Sequence, residues 1–323
     1  MVDMLLKRVA QSGAVLLFMS LLAFAGIHLI GDPIYILVNP NATADEIAAA
    51  SRHLGLDLPV YQQYWHFAWN ALHGDLGTSF VFNRPVLALV AERIPATLEL
   101  AFCALLLAIG IGIPLGLIAG LRPNGGLHKV IMAGSVLGIT MPSFWMGLLF
   151  ILLFSVQLGW LPSGGRGPTV DILGLDLSIT TWNGVRHLLL PALTLALFKI
   201  ALVIRLTEAG TREVSSQEFI KFARAKGVSG ARLMFRHIAP NVMIPIITVL
   251  GLEFGHLIAF SLVTESIFAW PGMGKLIIDS ILHLDRPVVV AYLMLTLLII
   301  ISINLCVDFL YLLIDPRLRS KLN

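Results

Sequence analysis

Six apolar runs, each long enough to cross a bilayer, dominate this 323-residue chain: roughly 9–30, 97–121, 130–159, 188–207, 239–268 and 288–314. A spanning helix needs about 20 such residues, and hydrocarbon leaves no water to satisfy backbone groups, so the runs must fold as helices. The expected fold is therefore an all-α integral membrane protein with six transmembrane helices. An even number puts both termini on one side. The N-terminus (Lys7, Arg8), the loop with Arg122 and Lys129, the stretch Arg205–Arg236 and the tail (Arg317, Arg319, Lys321) hold 14 Lys and Arg, against seven in the alternate loops. Basic loops stay inside, so both termini are expected to be cytoplasmic. The chain then divides into a first span (1–30), an extracytoplasmic loop domain (31–96), a five-span core (97–314) with a cytoplasmic loop at 208–238, and a cytoplasmic tail (315–323).

Only 13% of residues are charged, about half the share of a soluble domain. The net charge of +3 comes from bases spread over short loops, which argues for lipid as the surrounding phase and against nucleic acid as a partner. Cys103 and Cys306 lie inside apolar runs and read as inert thiols, with no disulfide or metal framework. Lys7-Arg8 and Ala23-Phe24-Ala25 imitate a secretory signal, but the first run exceeds the roughly 7–15 residues of a signal core and reads as a retained helix.

The chain leaves the apolar phase most clearly over Arg212–Pro245. Ser215 with Glu218 forms a capping-box pattern and Gly227 a helix end, predicting a short helix of roughly three turns. Phe219, Phe222 and Ala223 fall at i, i+3 and i+4, a narrow apolar stripe suited to a partner's groove, with Lys221, Arg224 and Lys226 outside it.

This stretch resembles the cytoplasmic EAA loop of permease subunits of ATP-binding-cassette importers, whose pattern is Glu-Ala-Ala, three residues, Gly, nine residues, Ile-x-Leu-Pro. Ala223, Gly227 and Pro240 match in register, while Lys221, Phe222, His237 and Ala239 depart. The departures are similar to the peptide and nickel permease variant, with Ala-Arg-Ala-Lys-Gly at Ala223–Gly227 followed by His237, Asn241 and Pro245. Further family-like segments are Gly-Asp-Leu-Gly-x-Ser (Gly74–Ser79), Thr264–Gly274 and Asp315–Arg319. The resemblance implies the type I importer permease fold in a bacterial or archaeal plasma membrane. It also implies two partner ATPases, a second homologous permease subunit (a heterodimer rather than a homodimer) and an extracytoplasmic binding protein. The ATPase-coupling residues would be Glu218, Phe219, Phe222, Ala223, Ala225, Gly227, His237 and Pro240. Substrates would be di- or oligopeptides, with nickel as the alternative.

Other segments read as follows. Thr43 with Glu46, and Gly55, bound one helix of the 31–96 domain; Pro59 and Gly74 bound another, with Tyr61, Trp65, Ala68 and Leu72 on one face. That face could pack on the domain or headgroup layer, or dock an external partner. Pro142 in Thr-Met-Pro-Ser-Phe-Trp should break its helix, tolerable only where protein or water receives the freed backbone groups. Thr264–Gly274 reads as an aromatic interface anchor running into a turn. Ionisable groups inside spans are functional candidates: Glu99, Lys199, Glu253, His256 and Asp308. Glu99 and Asp308 sit near span ends and suit structural roles. Lys199, Glu253 and His256 are the candidates for a hydrated translocation path, since Glu253 and His256, three apart, share a helix face. No phosphate-loop, zinc-protease or nucleophile-elbow motif is present, so no cofactor and no ATP hydrolysis of its own are expected. An ion-coupled secondary transporter using the same three residues is the rival reading.

Overall fold

The computed structural model describes residues 2–29, 43–53, 57–172 and 174–314. Gly55 and the Asp315–Arg319 ending lie outside them, as do the side chains of Glu46 and Asp308. The described residues form two compact units, those up to 94 with 275–302, and those of 95–274 with 303–314.

In the first unit, α1 (Val2–Leu29) is followed by α2 (Ala44–His53) and α3 (Val60–Leu72). Pro59 caps α3 and Gly74, at φ +82°, ends it, as the sequence pattern predicts. Helix α3 packs on α1 through Tyr64 and Phe67 around Phe24, with ring centroids 5.4 and 5.9 Å apart, and the Tyr64 hydroxyl lies 2.9 Å from Ser20 Oγ. The face carrying Tyr61, Trp65 and Leu72 turns the other way and is exposed, so it does not pack on its own domain. The Gly74–Ser79 segment folds into a tight turn: Asp75 Oδ1 accepts from Gly77 N at 2.9 Å, and Gly77 takes φ +83°. Its Ser79 hydroxyl and the Phe80 and Val81 amides all donate to Asp285, which is fully buried between α11 (Met273–Leu282) and α12 (Arg286–Ile314).

In the second unit, α4 (Val86–Leu121, entering from the first) and α5 (Gly126–Thr140) precede α6 (Ser143–Phe150), which continues as a π-helix over Ile151–Gln157. A hairpin, β1 (Val170–Ile172) with β2 (Leu175–Leu177), pairs Val170 with Leu177 and Ile172 with Leu175. Then come α7 (Trp182–Ser216), α8 (Glu218–Ala225), α9 (Gly230–Leu233, running into a π-turn over Met234–Ile238) and α10 (Ala239–Ile267).

Helix α7 is the hub, packed by α5, α6 and α10. Its apolar window is 56% buried, against 33% for that of α10. It also packs on α4 through three glycines. A Cβ at Gly112, Gly116 or Gly120 would lie 2.7, 2.5 or 2.6 Å from the Cβ of Val203, Thr207 or Thr211, so the one-turn repeat of small residues lets two backbones meet.

Among the described residues four helices are long and apolar enough to cross a membrane, or five if α5 and α6, bent by 106° at Met141–Pro142, are counted as one span. The run 130–159 is thus two helices rather than one, because Pro142 cannot continue α5. The first apolar run, read from about residue 9, falls within α1. Helix α7 does not stop at residue 207. Its 35 residues span about 52 Å, well beyond a hydrocarbon core of about 30 Å. Thr207, Thr211 and Val214 keep a buried face going past the apolar run, so the helix persists while its outer side turns polar.

Candidate functional site

The break between α5 and α6 opens a cavity of about 400 Å³ lined by Gly138, Met141, Ser143 and Met146 on one side and by α7 and α10 on the other. All three path candidates converge on it. Lys199 Nζ of α7 donates to Glu253 Oε2 of α10, and His256 Nδ1, one turn on, stands 3.5 Å from the same oxygen. The lysine and glutamate side chains are 13% and 15% exposed and His256 is 59% exposed, so the pair sits in the wall and the imidazole at the opening. The Lys199 ammonium also lies 5.2 Å from the Phe198 ring centroid, a cation–π contact that stabilises it away from bulk water. A charge this deep in an apolar helix survives only with a counter-charge, and α7 and α10 each bring one.

The other span-end carboxylates hold the architecture. Glu99 is 2% exposed, receives Arg166 Nη2 at 2.6 Å and accepts from the Ser178 and Ile179 amides at 2.6 and 2.7 Å, pinning the 158–181 segment to α4. Glu265 is fully buried and accepts from Thr97 Oγ1 at 2.8 Å and Ser261 Oγ at 2.9 Å. Gly272 backs directly onto its carboxylate, where a Cβ would lie 2.4 Å away. Phe268 and Trp270 are both 0% exposed, and the Trp270 indole donates to Ala96 O at 2.9 Å. The Thr264–Gly274 motif is therefore a buried knot, not an interface anchor, because its indole N–H finds a backbone carbonyl instead of headgroup water. Arg166 and Glu265 escaped the sequence reading. A lone carboxylate at each span end, demanding a partner, was the only signal.

On the 208–238 loop the Ser215–Glu218 capping box does not form. Ser215 is still inside α7, Ser216 Oγ donates to Glu213 O at 2.7 Å, and the extended Gln217 (φ −70°, ψ 150°) starts an eight-residue α8 of about two turns. The end at Gly227 is a Schellman motif: Val228 N donates to Ala223 O at 3.1 Å and Gly227 N to Arg224 O at 2.9 Å, with Gly227 at φ +82°. Gly227→Ala is therefore expected to cost about 1 kcal/mol of local stability, read as faster amide exchange across 220–228 with the spans unchanged. Unchanged exchange there would contradict it.

The stripe Phe219, Phe222 and Ala223 divides. Ala223 is 7% exposed and Ile220 is fully buried, so that side of α8 faces its own chain, while Phe219 and Phe222 stay 42% and 61% exposed. The reason is rotation: Ile220 and Ala223, three residues apart, share the inward face, which turns Phe219 and Phe222 outward. Glu218 and Ala225 are exposed, and Lys221 pairs with Glu218 at 2.7 Å on the solvated side. His237 is half-buried in the π-turn, where its carbonyl accepts from Asn241 Nδ2 at 2.7 Å, and Pro240 opens α10, exposed. Phe235, 64% exposed, joins Phe219 and Phe222 as exposed aromatics of this loop.

Residues 112–320 match the family described as binding-protein-dependent transport system inner membrane component, and residues 1–101 match its N-terminal companion. A putative peptide transport system permease protein of Brucella abortus is 38% identical over 320 residues, covering 99% of both chains. The dipeptide transport system permease protein DppB of Escherichia coli is 36% identical over 338 residues, covering 99% of this chain and all of the relative. A glutathione transport system permease protein, GsiC, of Escherichia coli is 39% identical over 322 residues, again covering 99% of this chain and all of the relative. Among solved structures, the inward-facing MetNI methionine ABC transporter matches with a TM-score of 0.58 at 15% identity, covering 71% of this chain and 97% of that one. The family match and the solved-structure match carry the type I importer permease fold. This chain belongs to the binding-protein-dependent transport system inner membrane component family, as a multi-pass permease subunit of an ATP-binding-cassette importer.

Proposed function

We propose that this chain forms half of the path by which di- or oligopeptides cross a bacterial or archaeal plasma membrane, paired with a homologous second permease. In this reading there are six spans, and both termini and the 208–238 loop are cytoplasmic. Two partner ATPases supply all ATP hydrolysis, and an extracytoplasmic binding protein delivers the substrate. The observation that carries it is the cavity at the α5–α6 break, whose wall holds the Lys199–Glu253 pair. Full-length relatives whose names specify peptide, dipeptide and glutathione transport support the substrate class.

Coupling follows from α8. Its exposed Phe219 and Phe222 seat in an ATPase groove, while Ile220 and Ala223 hold the helix to its own chain. Movement of the ATPases then biases a two-state arrangement of the spans. In proteoliposomes carrying the whole complex, uptake of a labelled dipeptide is expected to require ATP and binding protein. Uptake driven by a proton gradient without the ATPases would establish the ion-coupled rival, and uptake of nickel in place of peptide would replace the substrate.

A further inference from the structure

We infer that Lys199 and Glu253 read the two charged termini of the peptide: the two groups neutralise each other, and an arriving zwitterion exchanges that one ion pair for two. The substrate carboxylate goes to Lys199 and its ammonium to Glu253. The inference rests on the cavity being the peptide path proposed above.

Three observations converge on it. The pair joins two different helices at the cavity wall, so separating it requires only that two long side chains swing apart. Both groups keep spare capacity. An ammonium has three donors, and Glu253 uses Oε2 for both Lys199 and His256, while among the described residues Oε1 accepts no hydrogen bond. Apart from Ser143, Thr194 and His256, the rest of the lining is uncharged and adaptable, with Met141, Met146, Leu195, Leu197, Leu257 and Phe260. Thioethers and open apolar walls accept many side-chain shapes, so the termini are the constant features of a peptide that this wall can recognise.

Charge and size also agree. The empty pair is neutral and so is the pair plus zwitterion, so no net charge is left in the spans at either stage. The volume of about 400 Å³ falls in the range of about 300–1,000 Å³ typical of small-molecule sites. A dipeptide extends about 7 Å between termini, within reach of two side chains of this length. When Lys199 leaves, His256, 3.5 Å from Glu253 Oε2, remains beside the carboxylate.

A mere staple between α7 and α10 predicts something different, which fixes the test. The complete complex in proteoliposomes is given a labelled dipeptide, its N-acetyl form or its C-terminal amide, each at a concentration that saturates the binding protein. Wild type is expected to favour the free dipeptide over both blocked forms. Glu253→Gln should shrink the preference over the N-acetyl form about tenfold, and Lys199→Gln the preference over the amide about tenfold, each sparing the other ratio. Lys199→Met/Glu253→Met, which leaves no lone charge to block folding, should lose both preferences. Equal loss for all three peptides, or preferences intact in the double variant, overturns terminus reading while leaving the path in place. A wild-type complex that moves no peptide overturns the path reading itself.

Discussion

Phe222→Asp is expected to strip the ATPase subunits from the purified complex and abolish uptake, while Ile220→Asp leaves too little folded permease to assay. The two residues are neighbours on an eight-residue helix, yet Phe222 is 61% exposed and Ile220 is fully buried. A carboxylate at Phe222 stays hydrated in the free chain, with Lys226 close enough to answer it, since that ammonium already lies 4.5 Å from the ring centroid. It becomes costly only when a partner covers it. Loss of an aromatic anchor at a protein interface costs about 2–4 kcal/mol, or roughly 30- to 1,000-fold in affinity. A carboxylate at Ile220 has no hydrated option, and the penalty is on the order of 4 kcal/mol or more to the fold itself. Ala223→Asp belongs with Ile220→Asp, since Ala223 faces inward. Co-purification of ATPase, measured beside monodisperse yield, separates the classes. Retained ATPase and uptake in a well-expressed Phe222→Asp would show that α8 does not couple through its aromatic face.

The second large effect lies at the α4–α7 contact. Gly116→Val should destabilise the permease by about 3–5 kcal/mol, since its first added carbon would lie 2.5 Å from Thr207 Cβ and 2.7 Å from the Ile204 carbonyl oxygen. Neither neighbour is the end of a flexible side chain, so the helices themselves must part. That would also displace Lys199, at the middle of α7, from Glu253. Gly110→Ala, two turns earlier on α4, meets nothing within 4 Å and should be neutral or stabilising by up to about 1 kcal/mol, because alanine lowers the entropy of the unfolded helix segment. Melting in detergent reads both. A Gly116→Val protein that melts with wild type would mean the glycine repeat does not carry the packing.

The residues legible in advance were those whose physics is local. Gly227 ends a helix because its own φ must be positive, Pro142 breaks one because it lacks an N–H, and Pro59 and Gly74 bound α3 for the same reasons. Glu253 and His256 could be placed on one face because three residues is nearly one helical turn. Hydropathy marked the apolar runs, but it could not distinguish a residue facing lipid from one facing another helix, since both surroundings are apolar. That ambiguity is why Trp270 reads as an interface residue and is instead buried against Ala96, and why α7 runs past its apolar stretch to Ser216.

By itself, then, the sequence determined the class of fold, the helix breaks and the pool of charged groups that must find partners within the spans. Only the tertiary structure decided the pairings: Lys199 with Glu253 across 54 residues, Arg166 with Glu99 across 67, Ser79 with Asp285 across 206. It also decided which side of α8 turns inward, Ile220 and Ala223 rather than Phe219 and Phe222. Caps, turns and helical periodicity act over about four residues, whereas a partner across helices depends on the rotation and depth at which two helices meet, set by contacts along their whole length.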